Sequence, residues 1–422
     1  MGNDPPKPPR HDLHDLRPGL LEADDSKIRR VLAVVDGVAD PTINQALLDP
    51  LRPRLATLRP VRPLRFTRLL FIPLDPLTVP MRDWRAGDPT VPRPVLAPIA
   101  KTVQARLGSL APVIDKIIAG RRADAKEAIT QAGEILWPHA AESLVSAPPP
   151  ADWQETGLPL TAYKPLAESI AAVFRRAMQL RSLALDEEQG ALAVDDDVVA
   201  DILANIANEP ETGCAMIARL ILVRSPHALR LLGRIAGAGR TLDERVVLRR
   251  AMDRGVAAEL TNLERDTGVA HEIGHATLAE LGGEVRRVTT LLAEIEADAA
   301  FAGHWPRLKP IRHRLDEACR TRFARGLHEG LVGSLAAASG PVQGAAQTAL
   351  ESCARDLRKF EMAARKAGDS NSYDRLLARA SDAVLTAAAA GTLTPMRTYR
   401  LIEILAGPEA AEALYMQAVG GA

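Results

Sequence analysis

Residues 241–265 read TLDERVVLRRAMDRGVAAELTNLER. Thr241 followed three residues later by Glu244 is a capping box. The hydroxyl accepts from the Glu244 backbone N–H while the carboxylate reaches back to the Thr241 N–H, so two donors that a helix start leaves open are satisfied. The pair announces a long helix, and a turn is expected at Gly282-Gly283, where two glycines adjoin. Beyond it the pattern predicts helices over 284–302 and 309–338, turns at Gly340 and Asp369-Ser370, and two last helices opened by Thr394-Pro395 and Gly407-Pro408. Upstream, shorter helices are expected over 195–208, 211–223 and 226–236, the last behind Ser225-Pro226.

Composition points the same way. Aromatic residues make up 3% of the 422 residues, and the apolar positions are filled mainly by Ala, Leu, Val and Ile. Strong helix formers dominate and the aromatics that favour strands are nearly missing. No stretch alternates with period two, and no repeat period stands out. The expected fold is all-α, a multi-helix array or bundle in two helical parts, with no substantial β-sheet.

Residues 1–25 are rich in proline and charge and read as a disordered tail. Residues 26–147 form a Pro-interrupted helical region. Prolines recur eleven times between 50 and 98, so only short turns are expected there, around the apolar kernel RFTRLLFIPLDPLTVP at 65–80. Helices over 95–108, 112–119 and 123–146 close the region. Pro148-Pro149-Pro150 opens a linker over 148–158, and a larger helical array fills 159–422.

The 53 basic and 53 acidic residues cancel, so a domain-wide field for nucleic acid is absent, and no sequence-specific nucleic-acid partner is expected. Cys214, Cys319 and Cys353 are far apart and form no CxxC pair, which argues against a disulfide framework or a cysteine zinc site. The N-terminus carries no apolar signal core, and no run of ~18 apolar residues occurs, so a cytoplasmic chain without a transmembrane segment is expected. The excess of Arg over Lys reads mainly as a GC-rich, bacterial-type genome. Phosphate-binding loops, dinucleotide fingerprints, nucleophile elbows and kinase motifs are missing, which removes most cofactor enzymes together.

One constellation carries chemistry. Residues 271–275 read HEIGH. On a helix, His271 and His275 project from one face and could hold a Zn²⁺ at ~2.0–2.1 Å, with Glu272 as the base that activates a zinc-bound water. Downstream, Glu294 and Asp298 are again four apart. A turn at Gly282-Gly283 would bring Glu294 to the height of His271 as a third ligand, with Asp298 behind it. HEIGH followed by this Glu-x-x-x-Asp segment resembles the gluzincin-type zinc metallopeptidases. That resemblance, over about 30 residues, implies His271, His275 and Glu294 as metal ligands and Glu272 as catalytic base. Those enzymes place a substrate-binding strand before the active-site helix, whereas VAAELTNLERDTGVA at 256–270 reads as helix. An oxyanion-stabilising group is not assigned either, His304 being the nearest.

Two further features remain. Arg52, Arg54, Arg59, Arg62, Arg65 and Arg68 form a block with no acid between Asp49 and Asp75, interleaved with apolar groups, which suits phosphate or a peripheral membrane contact. Trp84 lies in a loop-like segment, as a binding anchor or a cap on the core. The leading expectation is a non-catalytic helical scaffold with a protein partner and no cofactor, its contact surface near the arginine block and Trp84. A zinc metallopeptidase and a peripheral binder of anionic surfaces are the rivals.

Overall fold

The computed structural model describes residues 63–185, 206–225, 228–237, 241–265, 278–338, 340–368 and 370–420. Sixteen α-helices follow one another in these segments. They are α1 Phe66–Phe71, α2 Leu96–Arg106, α3 Leu110–Ile118, α4 Lys126–Ser146, α5 Tyr163–Arg175, α6 Ala177–Leu185, α7 Glu211–Arg224 and α8 Ala228–Gly237. Then come α9 Leu242–Arg265, α10 Leu278–Ala297, α11 Trp305–Gly326, α12 Gly333–Ala336, α13 Ala345–Ala364, α14 Ser370–Ala389, α15 Pro395–Ala406 and α16 Pro408–Gly420. The only sheet among the described residues is a parallel pair of two-residue strands, β1 Thr78–Val79 and β2 Val91–Pro92, in the proline-rich stretch. The fold is therefore all-α, a multi-helix bundle. None of these helices is long and apolar enough to cross a membrane.

The capping box forms as the sequence dictates. The Glu244 N–H donates to Thr241 Oγ1 at 3.2 Å, and the Thr241 N–H donates to Glu244 Oε2 at 3.3 Å. The helix it starts, α9, lies along α7, and α7 lies along α5. Ten consecutive residues of α7, Gly213–Leu222, are buried, because the helix has neighbours on every side. Glycines set the spacing. A methyl on Gly255 of α9 would stand 3.0 Å from Ala218 Cβ and 3.2 Å from the Ala215 carbonyl of α7. One on Gly213 would stand 2.8 Å from Ala172 Cβ of α5.

The expected turn at Gly282-Gly283 is not formed. Both glycines lie inside α10, which runs unbroken from Leu278 to Ala297, so the helix expected over 284–302 starts earlier and stops sooner. A helical glycine costs only about 1 kcal/mol, and tertiary packing overrides that. Here α10 packs on α13, and a methyl on Gly282 would already touch Phe360 Cα at 3.7 Å. Asp298 ends the helix by accepting from the Ala300 N–H at 2.9 Å, which starts a 3-10 turn at Ala299–His304. The expected long helix over 309–338 is α11 continued through a π turn, Leu327–Val332, into α12. Thr394-Pro395 and Gly407-Pro408 open α15 and α16, with Gly407 at φ +96°.

Pro63–Ala422 forms one compact unit. The segment expected as a linker holds a 3-10 helix, Ala151–Thr156. Its Trp153 is buried, donates from Nε1 to the Pro159 carbonyl at 3.1 Å, and meets Tyr163 edge-on at 5.0 Å. The tail expected at 1–25 lies outside the described residues.

Candidate functional site

His271, Glu272 and His275 lie outside the described residues, and Glu294 is the one expected ligand that is described. α10 runs unbroken through Gly282-Gly283, so the turn expected there, on which the pairing of Glu294 with His271 was reasoned, is not formed. The Glu294 carboxylate instead meets the start of α8, where Oε2 accepts from the Leu229 N–H at 3.0 Å. A carboxylate suits that place, because first-turn N–H groups lack helical partners and the dipole there is positive. Asp298 caps the 3-10 turn through the Ala300 N–H. His304, the nearest candidate for an oxyanion contact, bonds through Nε2 to Asp253 Oδ1 at 2.8 Å. Among the described residues no three His, Cys, Asp or Glu side chains are grouped to hold a metal ion.

The expected contact surface is divided in the same way. Arg52, Arg54, Arg59 and Arg62 lie outside the described residues. Arg65 is exposed at the start of α1, and Arg68 is paired with Asp75 at 2.8 Å. Trp84 is half-buried and packs against the core, its Nε1 enclosed without a hydrogen-bond partner among the described residues.

Two features that the sequence did not single out are more pronounced. The first is a chain of charges in the interior. Arg219 of α7 is 2% exposed and donates from Nε to Glu259 of α9 at 3.4 Å, and Glu259 is 1% exposed. The other oxygen of Glu259 receives both Nη groups of Arg287 of α10 at 3.4 Å. Arg287 also bonds Glu284 at 2.5 and 2.9 Å and the Leu222 carbonyl at 3.0 Å. Burial pulls the Arg287 guanidinium down, but Glu284 and Glu259 outweigh it and hold its pKa above the ordinary arginine value. The signal was an Arg inside the otherwise uncharged run GCAMIARLIL at 213–222. A charge so placed must be paired or face a ligand.

The second feature is the surface of α15 and α16. Met396, Tyr415 and Met416 are 77%, 52% and 62% exposed. Met396 lies one turn before Tyr399, whose ring meets that of Tyr415 edge-on at 5.6 Å, so these side chains share a face. From Pro408 to Met416 no residue of α16 is buried. Neighbouring Tyr and Met in a last helical pattern were the available signal, weak because single exposed apolar residues are common.

No family model, curated protein or solved structure matches this chain.

Proposed function

We propose that the protein is a non-catalytic helical platform that binds a protein partner through the exposed face of α15 and α16. The observation that supports this reading is the exposure of Met396, Tyr415 and Met416 on α15 and α16, where the Tyr399 and Tyr415 rings meet. Helical stacks keep polar outer faces on their end units, because an apolar end face exposed to water invites association. Tyr contributes a large rigid surface with a polar tip, and Met adapts to the shape it meets, so both suit a partner of protein chemistry.

Photo-crosslinking in the producing cell tests the reading. A photoreactive residue is placed at 396 or 416, with 93 as the control, since Arg93 is exposed at a position remote in sequence. Discrete heavier adducts from 396 and 416 are expected, lost when Tyr415→Glu is added, with none from 93. Equal adducts from all three positions, or none from 396 and 416, overturn it.

A further inference from the structure

We propose that the open cleft between the loop after β1 and the helices α7 and α9 is a binding site for a small oxyanion, a carboxylate or a phosphate. The cleft measures about 190 Å³. Its walls carry Thr90 from the loop, Arg219 from α7, and Arg254 and Arg265 from α9, together with Asp83 and Asp88. That space admits a small polyatomic ligand and not merely a single water.

The floor holds two buried polar groups with unmade bonds. Arg219 Nη1 and Thr90 Oγ1 are both enclosed, and neither has a hydrogen-bond partner among the described residues. Arg219 is also the poorly neutralised end of the interior charge chain. Glu259 divides its carboxylate between two guanidiniums, and Glu284 serves Arg287, which leaves Arg219 a single bond of 3.4 Å. A buried cation with an open N–H and a buried hydroxyl in the same lining call for an acceptor that also carries negative charge. An oxyanion satisfies both: one oxygen accepts from Arg219, and another accepts from Thr90.

The surrounding residues look built for the purpose. Arg254, Ala258, Asn262 and Arg265 fall at helical spacing along one stripe of α9, with small side chains in the middle and a guanidinium at each end. Arg254 holds the wall in place. It donates to Glu211 at 2.9 Å and to the carbonyl of Gly87, and Gly87 has φ +88°, a conformation that glycine adopts freely. Arg265 is exposed at the mouth and makes no ion pair among the described residues. Arg219 and Arg254 are matched by Glu259 and Glu211, so the unpaired guanidinium of the wall is Arg265, which shares the rim with Asp83 and Asp88. Asp83 and Asp88 therefore restrict the occupant to a small anion and repel polyphosphates and nucleic acid.

The test is titration calorimetry of the full chain with inorganic phosphate and, separately, with succinate, at fixed ionic strength with sodium chloride as the blank. Saturable binding of one of the two is expected, and which one binds identifies the source of the oxyanion. Thr90→Val and Arg265→Gln are each expected to weaken it about tenfold, the effect of losing one hydrogen bond to a charged group, without lowering the thermal midpoint of the unliganded protein. Arg219→Met should abolish binding; because it also strands Glu259 and threatens folding, the two milder variants decide. No saturable binding by either anion up to tens of millimolar, or binding that both variants leave unchanged, overturns the proposal. Tighter binding of tripolyphosphate than of phosphate overturns the size limit set by the aspartates.

Discussion

Glu294 shows how much a side chain's meaning depends on its surroundings. In sequence it is an acid downstream of HEIGH, and in the structure it holds the first turn of α8. Glu294→Ala is expected to cost about 1 kcal/mol, the usual price of a lost helix cap, read as a lower midpoint in urea unfolding. Zinc content should not move with it; a loss of stoichiometric zinc in this variant would restore Glu294 as a ligand. The cysteines give a second residue-scale prediction. Burial pushes the Cys214 thiol up to about 12, with the charge of Glu209 adding to it, and burial does the same for Cys319, with Asp316 adding. At pH 8 both should resist iodoacetamide in the folded protein and react once urea is added. Because the folded state holds these protons more tightly, the stabilisation is complete below the ordinary thiol value near 9. It is lost as pH rises from there toward 12. Stability that instead increased over that window would contradict the burial of both thiols.

Elements were legible where their signals were local. The capping box of α9 and the proline starts of α15 and α16 stand where the sequence puts them, because a cap involves residues three apart and needs no partner from elsewhere. Thr241→Ala should lower stability by about 1 kcal/mol, measured by thermal or urea unfolding, and Thr241→Ser should restore most of it. Equal stability of all three proteins would mean that the box contributes nothing. Gly282-Gly283 failed as a turn signal for the opposite reason. Local propensity favours a break there, yet α10 runs through both glycines and packs on α13, with Gly282 in contact with Phe360. The turn from which the pairing of His271 with Glu294 was reasoned is therefore not formed at Gly282-Gly283.

At the scale of the whole molecule, the proline run at 148–150 tells where a helix cannot continue, but not whether the chain beyond it packs. Trp153 is sealed into the core and bonded to Pro159, within the compact unit Pro63–Ala422. Limited proteolysis under native conditions should therefore spare 148–158 until global unfolding, whereas Trp153→Ala should open early cleavage there. Rapid cutting of the unaltered protein at this segment would show it to be a hinge. By itself the sequence determined the helical class, since a chain with 3% aromatics, abundant Ala and Leu, and clear caps has no other regular structure open to it. It also marked the starts of α9, α15 and α16. Only the tertiary structure decided which charges meet. Arg219, Glu259 and Arg287 lie 40 and 28 residues apart in pairing, and Thr90 is still more distant from the arginine with which it lines the cleft. Such sites come from helices crossing in space, and no local pattern along the chain encodes where those crossings fall.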